Sequence, residues 1–274
     1  MAQTADNTKI MAVFCDFENI ALGVRDANYA KFDIGKVLER LLLKGNIVVK
    51  KAYCDWERYA GFKAAMHEAA FELIEIPHVR QSGKNSADIR MVVDALDLCY
   101  TKEHVDTFVI VSGDSDFSPL VSKLRENNKM VIGCGVKNSS SDLLIAGCDE
   151  FIYYDDIVKR DLPRQRAREA RNASRGGQAQ KSKVAASPQD KKNEAWDLLV
   201  ETYEALREER GEEEKIWGSM IKQTLKRRKP GFSESYYGFR SFGEMLEEAG
   251  AKGILKLERD EKSGGFLVKG APGT

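Results

Sequence analysis

Over its first 160 residues the chain alternates short apolar runs with stretches of helical periodicity, and no other feature restricts its fold so strongly. Met11 to Cys15, Ile47 to Tyr53, Phe71 to Ile76, Thr107 to Ser112, Met130 to Gly135 and Glu150 to Tyr154 read as strands. Most are β-branched or aromatic, and each run is too short for a helix. Between them, Ile34, Val37, Leu38, Leu41 and Leu42 recur at helical spacing, with Gly45 as a stop signal. Phe62, Ala65, Met66 and Ala69 repeat that spacing, and so do Ile89, Val92, Val93 and Leu96. Pro119 suits the first turn of a helix that follows Ser118. Strands and helices in alternation predict an α/β fold with a doubly wound, mostly parallel, Rossmann-like sheet.

Beyond this block the pattern stops. The stretch LPRQRAREARNASRGGQAQKSKVAASPQDKK is rich in Arg, Lys, Ser, Gln, Gly and Ala. With almost no large apolar side chain it cannot offset its ordering entropy, so residues 159–192 are expected to form a basic, flexible linker. After it, Ala195, Leu198, Leu199, Thr202, Tyr203 and Leu206 line one helix face. A second helix is expected from Ser219 to just before Pro230. A third should run from about Ser241 to Glu248, with Phe242, Met245, Leu246 and Ala249 inward and Gly250 as terminator. Ile254 to Leu257 and Phe266 to Lys269 flank Ser263–Gly264–Gly265 as a hairpin. Three helices and a hairpin describe a small winged-helix-like α+β module over residues 193–270.

Charge follows the same divisions. The whole chain carries 43 Lys and Arg against 43 Asp and Glu, yet residues 1–160 sum to −4, 161–192 to +6 and 193–274 to −2. A basic connector between two mildly acidic blocks suits an anionic partner. No apolar run approaches the roughly 18 residues of a membrane helix. The start, MAQTADNTKI, lacks the basic flank and apolar stretch of a secretion signal. Five cysteines without a CxxC pair argue against a disulfide framework. The expectation is a soluble protein of a reducing, cytoplasmic compartment.

Several chemistries lack their residues. There is no GxxxxGK[ST] phosphate loop, and Gly133-x-Gly135 lacks the third glycine of a dinucleotide site. His67, His78 and His104 are scattered, with no HExxH. Cys15, Cys54 and Cys134 fall in strands, where they fill core space rather than pair with a histidine.

Acids, by contrast, gather at predicted strand ends. Asp16 and Asn19 follow the first strand in CDFEN, and Asp114 and Asp116 follow the fourth in VSGDSDF. Ligands of open parallel sheets bind outside the carboxyl ends of the strands, where strand order reverses. Asp88, in KNSADIRMVVDAL, lies in the first turn of its helix. If that turn faces the same edge, four carboxylates converge, which is costly unless a cation neutralises them. Carboxylate oxygens without nitrogen or sulfur ligands select Mg2+ or Mn2+. Each acid also has a plain structural reading. Asp16 can cap a loop, Gly113 and Asp114 can form a turn with Asp116 as a helix cap, and Asp88 can sit in a first helical turn for electrostatic reasons alone. Asp94 reads as an exposed helix residue.

The runs VFCDFENI, ADIRMVVDAL, VSGDSDFSPLV and SSSDLLIAGCDEFIYY resemble the NYN domain family of PIN-like, LabA-type, metal-dependent ribonucleases, over about residues 9–158. The resemblance implies a metal site formed by Asp16, Asp88, Asp114 and Asp116. It also implies a polar neighbour in Asn19, with Ser139 and Ser140 facing the same groove. The block IWGSMIKQTLKRRKPGFSESYYGFRSFGEMLEEA with GGFLVK is similar to the LOTUS or OST-HTH domain, a winged-helix-like family implicated in RNA binding and protein contacts. Lys222, Lys226, Arg227, Arg228 and Lys229 form a cationic strip beside Tyr236, Tyr237 and Phe239. Basic side chains neutralise phosphate, and aromatic faces stack on unpaired bases. Phe239 and Phe242 read equally well as core, and the strip as a solvated helix end.

Together these readings lead to a Mg2+- or Mn2+-dependent endoribonuclease with an appended RNA-binding module and RNA as its partner. A non-catalytic RNA-binding adaptor on the same fold is the main rival, and a metal-dependent nucleotide phosphatase the third.

Overall fold

The computed structural model describes residues 8–76, 86–160, 188–211, 213–260 and 264–270. Of the linker expected over 159–192, residues 161–187 lie outside the described residues, as do His78 and the Ser263 turn position, whereas 159–160 and 188–192 are helical. The chain divides into two compact units.

In the first unit, β1 (Lys9–Asp16) leads into α1 (Phe17–Asp26) and α2 (Ile34–Lys44), then β2 (Gly45–Cys54), α3 (Ala60–Glu68) and β3 (Glu72–Glu75). α4 (Ser86–Thr101), β4 (Thr107–Val111), α5 (Ser118–Glu126), β5 (Met130–Gly135), α6 (Asp142–Gly147) and β6 (Glu150–Tyr153) follow. Residues 154–160 are helical and form α7. All six expected strands are present, in one sheet of order β3-β2-β1-β4-β5-β6 in which every pairing is parallel. Strand order reverses between β1 and β4.

β1 is a continuous apolar run because both of its faces are covered. Met11, Val13 and Cys15 pack with Ile20 and Val24 of α1, Val37 and Leu41 of α2, and Met66 of α3. Ala12 and Phe14 point the other way, toward Met91 and Ala95 of α4, Leu120 and Leu124 of α5, and Leu144 of α6. Residues 107–111 of β4 are likewise buried throughout, which centres the sheet on the β1–β4 pair. All five cysteines are free thiols and four are buried. Burial pushes Cys134 up to about 12, so these thiols serve as core volume.

The helix over 86–101 is turned differently from the spacing of Ile89, Val92, Val93 and Leu96. Met91, Ala95 and Cys99 are its buried residues, while Ile89 and Val93 are exposed. Both stripes fit a period of 3.6, so spacing alone does not choose between them. Packing against Ala12 and Phe14 does.

The second unit runs α8 (Pro188–Arg210), β7 (Ile216–Trp217), α9 (Gly218–Arg228), α10 (Phe242–Ala251), β8 (Lys256–Arg259) and β9 (Phe266–Gly270). β7, β9 and β8 form an antiparallel sheet in that order, completing the winged-helix-like arrangement. α8 starts upstream of residue 193, and Lys192 pairs with Glu248 of α10 at 2.8 Å. Ala195, Leu199, Tyr203 and Leu206 meet Phe239, Phe242, Met245, Leu246 and Ala249 in its core. Gly250 does not terminate α10. It lies inside the helix, where a Cβ would stand 2.9 Å from Leu257 of β8. Gly253, at φ +69°, is the stop: its N–H donates to Gly250 O and the Ile254 N–H to Ala249 O.

Gly45 has a comparable close approach. A Cβ there would lie 2.1 Å from the Lys9 carbonyl oxygen, a backbone atom that cannot swing away. Gly45→Ala should therefore destabilise the first unit by ~1–3 kcal/mol. Chemical denaturation would check this, and an unchanged midpoint would show that β1 and β2 can part without cost.

Candidate functional site

The site is built at the carboxyl edge of the sheet, where β1 and β4 diverge. Asp16 ends β1 and N-caps α1: its Oδ1 accepts the Asn19 N–H at 3.3 Å. Its Oδ2 accepts the Ser112 hydroxyl at 2.9 Å. Ser112 Oγ accepts in turn from the Asp114 N–H at 3.1 Å, and Asn19 Oδ1 accepts from the Gly113 N–H at 2.9 Å. One ring of hydrogen bonds thus joins the head of α1 to the turn after β4. Asp114 caps the short 3-10 turn Ser115–Phe117 by accepting the Asp116 N–H. Asp88 is the third residue of α4.

Asp16 shows what this geometry does to charge. It is only 7% exposed, and burial first, then the Asp88 charge, push its carboxyl up to about 7. Asp114 adds a smaller push, against the lowering by the Ser112 and Asn19 hydrogen bonds. Asp88 and Asp114 are therefore near enough for Asp16 to feel their charges, whereas Asp116 is exposed and takes no part in Asp16's shift. Oxygen donors of this kind suit a hard divalent cation. Among the described residues, however, no three His, Cys, Asp or Glu side chains stand close enough together to hold an ion.

The loop carrying Ser139 and Ser140 packs on the same turn. Ser139 O would lie 2.3 Å from a Cβ at Gly113, and the Ser141 N–H donates to Gly113 O. The Ser140 hydroxyl donates to Val136 O at 2.8 Å, so it shapes the loop.

Ser112 was absent from the sequence-based candidates, although it touches both strand-end acids. Its only signal is a small hydroxyl directly before Gly-Asp at a strand end. Asp94 needs a correction. It is not an exposed helix residue: its carboxylate accepts from Tyr53 Oη at 2.9 Å, Arg90 Nε at 3.0 Å and Lys51 Nζ at 3.4 Å. Burial and this carboxylate push the Tyr53 hydroxyl well above its ordinary value, so it stays a donor. Tyr53 is also the register partner of Asp16 across β1 and β2. Asp94 therefore ties α4, and with it Asp88, to the strand beside Asp16.

In the second unit the cationic strip is partly engaged. Arg228 pairs with Glu201 at 2.8 Å and is largely covered, Arg227 donates to Thr224 Oγ1, and Lys222 and Lys226 face Glu234. Lys226 and Lys229 stay exposed. Tyr237 is half-buried and stacks on Phe232, while Tyr236 is 60% exposed under Lys191. Phe239 and Phe242 are core residues.

The NYN domain model matches residues 10–155. Among curated proteins, an uncharacterized protein of Methanocaldococcus jannaschii is 32% identical over 114 residues, 41% of this chain and 43% of that one. Meiosis regulator and mRNA stability factor 1 of Xenopus tropicalis is 26% identical over 161 residues, 59% of this chain and 9% of that one. The chain thus spans less than half the length of either relative. A crystal structure of a protein of unknown function from Vibrio parahaemolyticus superposes with a TM-score of 0.50 at 27% identity, covering 57% of this chain and 98% of that one.

The raised Asp16 carboxyl has a pH signature. A folded carboxyl near 7 against an unfolded one at 3.8 binds its proton more tightly when folded. Stability from this group is thus highest below the unfolded value, falls as pH rises toward 7, and is level above, at ~1.4 kcal/mol per pH unit as an upper bound. Asn keeps the capping oxygen without the charge. In chelator, Asp16→Asn should melt higher than the parent at pH 8, with the gain shrinking toward pH 4. A lower melting temperature at both pH values would mean that Asp16 acts as a cap and nothing more.

Proposed function

The chain belongs to the NYN domain family, and from the acids at its strand-order reversal we propose that it is a metal-dependent endoribonuclease that hydrolyses RNA phosphodiester bonds. NYN domains are generally ribonucleases and typically depend on a divalent metal. The observation that carries the reading is the buried Asp16 carboxyl, raised by burial and by the Asp88 and Asp114 charges. A protein that only gripped RNA would gain nothing from negative charge at its binding edge, because phosphate is repelled by it.

In this reading Asp16, Asp88 and Asp114, with Asp116 at the rim, would hold Mg2+ or Mn2+ once drawn closer together, since among the described residues no three of them stand near enough to hold it as they are. Such an ion, when bound, lowers the pKa of a coordinated water and offsets charge on the phosphate. Ser112 and Asn19 hold Asp16 and the Gly113–Asp114 turn in fixed relation. Asn19, Ser139 and Ser140 border the groove in which the RNA backbone lies. Water adds to phosphorus as the bond to the leaving oxygen breaks.

The second unit is the RNA-binding module in this reading, similar to a LOTUS domain. Its exposed Lys226 and Lys229 meet phosphate, and Tyr236, the more exposed ring although Lys191 lies over it, replaces Tyr237 as the stacking candidate. Arg227 and Arg228 serve as internal braces.

End-labelled RNA tests the chemistry. Asp16→Asn or Asp114→Asn should lower cleavage by at least ~100-fold, as loss of a strong electrostatic stabiliser does. Chelator should abolish cleavage and Mg2+ or Mn2+ restore it. Undiminished cleavage in chelator overturns the reading, and binding without cleavage under every condition makes the protein an adaptor.

Grip is tested separately. Lys226→Glu with Lys229→Glu should weaken RNA binding and flatten its salt dependence by about one counterion per lysine. If affinity and salt slope are both unchanged, the second unit serves a partner other than RNA.

A further inference from the structure

The turned helix α4 carries a stripe that the other described residues do not cover. Of its apolar residues, Ile89 is 62% exposed, Val93 56% and Tyr100 61%, with half-buried Leu96 between the last two. At about 100° per residue all four point within ~60° of one another. Their spacing of four, three and four is the a/d seam of a coiled coil, not the wider face of a helix lying on a core. No other described helix exposes two large apolar side chains. One such residue alone is ordinary on a surface, but three in a line on a 16-residue helix are not.

Charge on the flank specifies the occupant. Arg90 and Asp97 are both exposed and follow Ile89 and Leu96 by one position, so they lie on the same side of the seam. When two copies of α4 pack antiparallel about a two-fold axis, Ile89 meets the second copy's Tyr100 and Val93 its Leu96. The same rotation sets Arg90 of each copy against Asp97 of the other. Seam and flank are both self-complementary, which is the property an isologous two-fold interface requires. We propose that this protein forms a homodimer through antiparallel packing of α4 on α4 of a second copy.

One helix pair is a small interface, at the weak end of specific complexes, so association falls in the micromolar range. α4 carries Asp88 at its N-terminal end, and antiparallel packing sends the two copies' Asp88 residues to opposite ends of the seam. The inference does not depend on the nuclease reading.

Sedimentation equilibrium of the full chain from low to high micromolar concentration tests it. The parent should shift from monomer to dimer. Val93→Glu, at an exposed position that leaves the melting temperature unchanged, should weaken association at least about tenfold. Asp97→Arg should weaken it by like-charge contact, and so should Arg90→Glu, whose melting temperature is measured alongside because Arg90 also holds Asp94 at 3.0 Å. An equimolar mixture of those two variants should associate again, because each then meets an opposite charge on both flanks. A chain that stays monomeric, a dimer indifferent to Val93→Glu, or a mixture that fails to associate overturns the proposal. RNA cleavage by Val93→Glu should equal the parent's, which keeps this test apart from that of the nuclease reading.

Discussion

The first unit is organised around one carboxylate that water does not reach freely. Asp16 ends the central strand, starts a helix with one oxygen and holds Ser112 with the other. These bonds connect β1 to β4 at the only place where the sheet changes winding direction. They lower the carboxyl's proton affinity, but burial and the nearby Asp88 raise it further, so charge at this point is costly in the folded protein. Residues that only needed to cap a helix would not require a second acid close by. The packing of Gly113 against Ser139, which leaves no room for a side chain, closes the turn on the same carboxylate.

A second charged group extends that arrangement to the helix carrying Asp88. Asp94 is enclosed by Lys51, Tyr53 and Arg90, and two positive partners offset its desolvation. Among the described residues Asp16 has no such cation: its partners are neutral and its neighbours are acids. Two aspartates on adjacent elements thus have opposite environments. One is a brace, and in the other charge is opposed by burial and by neighbouring acids. The brace also ties α4 to the strand that runs beside Asp16.

The second unit has its own core, with Trp196, Tyr203, Phe239 and Phe242 closing three helices on a three-stranded sheet. Much of its cationic strip stabilises that fold. Arg228 reaches back to α8 through Glu201 and Thr202, and Glu234 faces two lysines of α9. A run of basic residues on a helix end is therefore two things at once, a set of internal braces and a smaller set of free charges.

By itself the sequence determined the α/β class, all six strands of the sheet and the helical module after it. Those features rest on local periodicity and on apolar runs such as Met11 to Cys15, buried on both faces. It also singled out Asp16, Asp88 and Asp114, because a parallel sheet brings strand ends and helix starts to a common edge. Only the tertiary structure decided the rest. Ser112 gained its place from a neighbouring strand, since it lies 96 residues from the carboxylate it holds. Asp94 was hidden because its three partners come from another strand and another turn of its helix. Helical spacing in α4 fits two stripes equally, and the choice between Met91 and Val93 as the inward residue is made by Ala12 and Phe14. Gly250 carried the signal of a helix end, yet what it answers is a close contact with Leu257 on β8. In each case local sequence states what a residue prefers, and a partner far along the chain selects which preference is met.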